Sequence, residues 1–257
     1  MLESHTWYRD TGFPRAVRAL LTANIAVFVL KAFSPWGQML TEWGRLSLAG
    51  LSRGALWQIL TYSFLHANLA HLLLNMVALY SLGPETERAM GRRHFLIMYG
   101  LSAAIGGLGF ALITPTGYCV GASGAVFGVI AAFATLFPTR PVSLLFLPFI
   151  TFQARTLALI FGVIELLYLV QGVEGGIAHS AHLAGGLAGA IYVAIVLREA
   201  RLPWRLPRFR RRMRPGGYDL AEVDRILDKV AREGIDRLTR RERATLEAAS
   251  RRHSPPR

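Results

Sequence analysis

The chain is short of cysteine and of carboxylates. Its one cysteine among 257 residues, Cys119, excludes an intrachain disulfide. It reads as a small apolar side chain rather than a reactive thiol. Acidic residues number 16 against 29 basic ones, and Glu165 alone lies well inside an apolar run. A cleavable leader is not expected: residues 1–15 mix polar and aromatic side chains, and the first apolar run is long enough to remain as a membrane span. No internal repeat relates one half of the chain to the other, which argues against a small transporter built on inverted repeats.

Apolar residues, by contrast, make up 53% of the chain, and the mean hydropathy is +0.35. Several membrane spans follow from this composition. The runs fall at about 16–33, 69–83, 95–114, 120–137, 156–170 and 178–197. Some are shorter than the roughly 20 residues a span needs. Short polar spans are tolerated where they face a protein interior or a wet cavity. The 142–150 stretch is also apolar, but Pro141 and Pro148 argue against a regular helix there.

The net charge of +13 is uneven. Residues 198–257 hold 18 basic and 9 acidic residues, a net of +9, and the other 197 residues net +4. Basic residues cluster at the N-terminus (Arg9, Arg15, Arg18), in 84–94 (Arg88, Arg92, Arg93), in 138–155 (Arg140, Arg155) and in the tail. The alternate connections are poor in them. Six spans with both termini cytoplasmic satisfy this pattern. Segment 34–68 carries Trp36, Trp43, Trp57, Tyr62 and Phe64, and belongs in or near the outer membrane interface.

That topology starts spans two, four and six at the outer face. Ser123 lies near the start of the fourth, His182 near the start of the sixth, and His71 near the start of the second with Asn75 one turn deeper. Each lies within roughly 10 Å of its span's outer end. Taken singly, the serine can bond back to its own helix, His182 can be an interface residue, and His71 and Asn75 can join helices. Four such groups at one depth demand a reason, because each polar group in lipid is costly. Gly124 and Gly128 form a G-x-x-x-G on span four, and Gly185 and Gly189 another on span six. Such pairs let helix backbones approach closely, as a Ser–His hydrogen bond requires.

The chemistry this suggests is acyl transfer. His182 takes the Ser123 proton, and the freed oxygen attacks a carbonyl. His71, Asn75 and the backbone N–H of Ser123 at a helix N-terminus serve the developing oxyanion. Phe127, one turn after Ser123, can pack on the His182 ring. Glu165 can orient His182 or bond a neighbouring helix, and the second role is favoured. No cofactor and no metal are called for.

The motifs resemble those of the rhomboid family of intramembrane serine proteases over residues 16–197. Gly121-Ala122-Ser123-Gly124 is similar to its G-x-S-G. Ala181-His182 through Gly185 and Gly189 is similar to its A-H-x-x-G-x-x-x-G. His71-Leu72-Leu73-Leu74-Asn75 is similar to its H-x-x-x-N. The resemblance implies a Ser123–His182 dyad without a catalytic acid, an oxyanion site at His71 and Asn75, and single-span membrane proteins as substrates, cut near the outer face. It puts Trp57-Gln58 and His66 in a membrane-embedded first loop. The family more often has Trp-Arg at 57–58, which implies loss of a loop-anchoring ion pair, and often has tyrosine at Phe127. Glu87 resembles a structural acidic residue at the cytoplasmic end of span two. A catalytically silent relative that escorts membrane segments is the alternative, and retention of all four polar residues argues against it.

The expected fold is therefore all-α: a polytopic six-span bundle over 16–197, after a cytoplasmic segment 1–15. A basic juxtamembrane linker, 198–217, should sit on anionic lipid rather than nucleic acid. A small cytoplasmic two-helix hairpin follows over 218–250. Its capping boxes are Asp219 with Glu222 and Thr239 with Glu242, and Gly234 ends its first helix. Residues 251–257 are expected to be disordered. The expected location is a prokaryotic inner membrane. Substrate identity and oligomeric state are not encoded legibly.

Overall fold

The computed structural model describes residues 12–144, 147–172, 177–201, 220–234, 237–239 and 242–246. The chain divides into two units, Met1–Leu202 and Pro203–Arg257.

The first unit is a helical bundle. Its long helices are α1 (Arg15–Phe33), α5 (Leu69–Met90), α6 (Arg92–Ile113), α7 (Ser123–Leu136), α8 (Ala154–Gln171) and α9 (His179–Arg201). Between α1 and α5 run three short helices, α2 (Gly37–Gly44), α3 (Leu48–Ser52) and α4 (Gln58–Thr61), and a 3-10 turn at Tyr62–Phe64. Helices α1, α6, α8 and α9 are long and apolar enough to cross a membrane. Residues Gln58–Phe64 with α5 form a further candidate, bent by 97°. Helix α7 is apolar but only 14 residues long, about 21 Å of rise. Length and composition thus give four or five spans among the described residues, where the sequence suggested six.

Small residues and aliphatics build the core where α5, α6, α7 and α9 meet α1. Val17, Leu79, Phe95, Met98, Ala122, Ala125, Val129 and Ala132 are fully enclosed. The outer faces are as apolar as the core. Leu112, Leu159, Val163, Leu167 and Val170 are each more than half exposed, a surface suited to lipid and costly in water. The chain is an integral membrane protein. Glu87, near the end of α5, accepts hydrogen bonds from Ala16 N (3.1 Å) and Val17 N (2.9 Å). It caps the first turn of α1, whose N-cap, Pro14, offers no side-chain acceptor.

The bundle is not purely helical. Strands β1 (Pro141–Leu144) and β2 (Leu147–Gln153) pair antiparallel, Val142 opposite Phe152 and Ser143 opposite Thr151. The fold is mostly helical, as expected, and this hairpin is a local addition to the all-α bundle. Proline at 141 stands first in its strand, where it removes no ladder bond, and Val142, Phe149, Ile150 and Phe152 suit a pleated surface.

In the second unit, α10 (Leu220–Glu233) buries Val223 and Ile226 and ends at Gly234, whose φ is +86°. Residues 242–246 are helical. Thr239 N and Oγ1 donate to Glu242 Oε2 at 2.8 and 2.9 Å, and Glu242 N donates back to Thr239 Oγ1 at 3.3 Å. This is a closed capping box. Lys229 of α10 donates to the same carboxylate at 3.1 Å. The Thr239 backbone N–H, its hydroxyl and Lys229 together hold the Glu242 carboxyl down to about 2. Asp219, most of the 198–217 linker and the 251–257 tail lie outside the described residues.

Candidate active site

Ser123 is the first residue of α7, after Gly121 and the N-cap Ala122. Gly121 has φ +128°, a conformation that favours glycine. A side chain there would also lie 2.5 Å from His71 Cε1, so the imidazole lies directly over the Gly121 backbone. Two further contacts fix this approach. Gly121 N donates to Tyr62 O at 2.9 Å, and Cys119 pairs with Leu46 through reciprocal backbone bonds of 2.8 and 3.0 Å. Tyr62 is itself pinned, its hydroxyl donating to Ala103 O at 2.6 Å.

The glycines bring α7 and α9 together. A Cβ on Gly185 would lie 2.1 Å from Gly124 O, and one on Gly189 2.3 Å from Gly128 O. Only hydrogen atoms fit between these backbones. One on Gly124 would meet Ala181 O at 3.3 Å. Ser123 and His182 each adjoin one of these touching residues, on facing helices. Ser123 is half-buried and His182 buried. Phe127 lies flat on the His182 ring, with centroids 4.3 Å apart and planes inclined by 6°. Among the hydrogen bonds of the described residues none joins Ser123 to His182. Catalytic pairs are often longer in the free enzyme than in the working complex.

His71 and Asn75 occupy successive turns of α5. Asn68 caps that helix, its Oδ1 accepting from His71 N at 2.9 Å. Asn75 Nδ2 donates to His71 O at 2.9 Å, which uses one of its two N–H groups. His66 is fully enclosed. Its Nε2 accepts from Ala122 N at 3.5 Å, its carbonyl accepts from Lys31 Nζ, and its ring stands edge-on to His71 at 5.2 Å. Gln58 anchors the first loop with neutral bonds, accepting from Ser47 N and donating to Trp43 O, each at 3.4 Å. Trp57 stacks on Trp43 at 5.3 Å and donates to its carbonyl at 3.0 Å. Position 58 thus anchors the loop through uncharged hydrogen bonds.

One neighbour of His182 was not singled out from sequence. His179, one turn earlier on α9, receives Glu165: its Nδ1 lies 2.5 Å from Glu165 Oε2. Glu165 Oε1 lies 3.0 Å from His182 Nδ1, off the line of a hydrogen bond, so this nitrogen has no aligned partner. Glu165, His179 and His182 offer three ligand atoms within 4.8 Å of one another. Tetrahedral zinc with bonds of about 2.0–2.1 Å would hold its ligand atoms about 3.3 Å apart. The N···O separations of 2.5 and 3.0 Å are those of direct contact instead.

Residues 53–199 match the rhomboid domain family, and residues 219–252 match a family of unknown function (DUF6576). The chain is 27% identical over 202 residues to Rhomboid-like protease 3 of Toxoplasma gondii, covering 75% of each chain. It is 29% identical over 203 residues to the mitochondrial Rhomboid protein 1 of Saccharomyces cerevisiae, which takes in 72% of this chain and 54% of that one. It is 31% identical over 192 residues to Rhomboid protease GluP of Bacillus subtilis, which takes in 73% of this chain and 36% of that one. The chain thus spans about half or less of the length of the last two.

Proposed function

Because this chain belongs to the rhomboid family, we propose that it is an intramembrane serine endopeptidase, with Ser123 as nucleophile and His182 as base. The observation that carries this reading is the backbone contact of Gly124 with Ala181 and Gly185. It brings the ends of α7 and α9 into register, and Phe127 stacks on the His182 ring there.

His182 Nε2 accepts the Ser123 hydroxyl proton as Oγ bonds to the scissile carbonyl carbon. The carbonyl π pair moves onto oxygen, where the second Asn75 N–H, the His71 ring and the Ser123 backbone N–H are suited to receive it. Collapse expels the amine, which takes the proton from His182. Water then adds to the acyl-enzyme, giving one proton to His182 and later to Ser123 Oγ. Substrates are single-span membrane proteins cut near the outer face. The bundle spans the membrane six times, α7 being a short span enclosed by its neighbours. Both termini are cytoplasmic in a prokaryotic inner membrane, and the basic linker rests on anionic lipid.

The decisive experiment is cleavage of a model single-span substrate in liposomes. Ser123→Ala should abolish product while the protein still melts cooperatively. A serine-directed probe should label the wild type and fail on His182→Ala. Cleavage that survives Ser123→Ala would sink the assignment. Absence of cleavage and labelling in the wild type would favour the silent-escort alternative.

A further inference from the structure

We propose that Glu165 is a positioning residue for His182: the negative charge of its carboxylate beside Nδ1 favours the tautomer with the proton there and so keeps Nε2 free as the base. The proposal rests on the serine-protease reading above.

Helix α8 is a poor place for a carboxylate. Val163, Leu166 and Leu167 beside it are each more than half exposed on the lipid face. A charge at such depth is costly and needs partners. The Glu165 side chain avoids that face, with 12% of its surface open, and turns both oxygens towards α9. Oε2 takes His179 Nδ1 in a hydrogen bond of 2.5 Å, and Oε1 lies 3.0 Å from His182 Nδ1, close enough for its charge to act though off the line of a hydrogen bond. Holding α8 against α9 needs only the first of these contacts.

The two rings are braced alike. Tyr168 stacks on His179 at 5.2 Å and 21°, as Phe127 stacks on His182 at 4.3 Å and 6°. Stacking fixes the plane of the imidazole but not which nitrogen carries the proton. A carboxylate accepts and does not donate, so a carboxylate beside Nδ1 selects the Nδ1–H tautomer. The free lone pair is then on Nε2. Once Nε2 has taken the Ser123 proton, the imidazolium charge lies 3.0 Å from a carboxylate oxygen. The proton stays on Nδ1, and Glu165 acts through His182 without touching substrate. His179 keeps the carboxylate from turning away.

The test measures kcat and KM for a single-span substrate with the full chain in liposomes, alongside thermal midpoints. Glu165→Gln should lower kcat about 10- to 100-fold, with KM within about twofold and the midpoint unchanged. The loss is smaller than the ~10⁴ seen when a triad aspartate is made neutral, because Phe127 still holds the ring. Labelling of Ser123 by the serine-directed probe should slow in proportion. Glu165→Asp, which keeps the charge, should recover part of kcat. His179→Asn keeps a donor for the carboxylate and should cost less than Glu165→Gln.

Three outcomes overturn the proposal. One is a Glu165→Gln kcat within about twofold of wild type. Another is equal kcat losses in Glu165→Gln and His179→Asn, each with a lowered midpoint, which would make Glu165 a helix fastener. The third is inhibition of the wild type by micromolar zinc that Glu165→Gln abolishes, with chelation alone raising wild-type kcat, which would make the cluster a metal site. If Glu165→Gln does not fold, Glu165→Asp must outperform a folded Glu165→Ala, or the proposal fails. Ser123→Ala separates the two levels. Wild-type cleavage lost in Ser123→Ala but kept in Glu165→Gln removes only the role of Glu165. Cleavage kept in Ser123→Ala removes the protease reading itself.

Discussion

Asn75 spends one amide N–H on the carbonyl of His71, 2.9 Å away in its own helix. That bond holds the side chain along the α5 axis and leaves one N–H for the oxyanion role proposed above. Asn75→Ala should therefore lower kcat by about 10² to 10³ while KM changes little. Steady-state kinetics on the reconstituted protein checks this, and a rise in KM alone would assign Asn75 to substrate binding. Ser123, His182, His71 and Asn75 stand out in the sequence as candidates because each interrupts an apolar run and carries a desolvation cost. The contacts of Glu165 were not. Helix α8 is apolar on nearly every side, so its periodicity does not say which face meets α9. With the rotation of α8 unset, the sequence offers Glu165 to His182 only as the less favoured of two roles, and offers it to His179 not at all.

Helices α7 and α9 meet where their glycines leave no room for a Cβ. A methyl group on Gly185 would lie 2.1 Å from Gly124 O, a backbone atom that cannot step aside alone. Gly185→Ala should force the helices apart and cost about 1–3 kcal/mol, the usual penalty of overpacking. The same shift displaces His182 relative to Ser123, and about 1 Å of misplacement can remove 10² in rate. Gly162→Ala is the matched control. It lies inside α8, meets nothing within 4 Å, and should be neutral or stabilise by up to about 1 kcal/mol. Melting in detergent together with cleavage rates would show the contrast, and equal behaviour of the two variants would refute tight backbone contact. The glycine spacing announced this packing in advance. The 141–153 hairpin was less legible. Its prolines excluded a helix, but the pairing of Val142 with Phe152 depends on how the connection folds back.

The distribution of charge makes a statement about the entire chain that the helices do not make alone. Arginines at both ends and in the 84–94 and 138–155 connections call for an even number of crossings. Helix α7, at about 21 Å, is shorter than a hydrocarbon core of about 30 Å. Its ends reach water only if neighbouring helices shield them and the site at its mouth is wet. The crossing can be tested directly because the chain is so poor in cysteine. Cys119 is buried, so the native thiol is a quiet background, and Cys119→Ala removes it. Thr116, before α7, and Thr139, after it, are both exposed. Thr116→Cys should react with a membrane-impermeant maleimide added outside oriented vesicles. Thr139→Cys should react only after the membrane is opened. Labelling of both from one side would mean that α7 enters and returns without crossing. Ser123 would then still lie at the mouth of α7, but the basic tail would emerge opposite the N-terminus, against the bias of its eighteen positive charges.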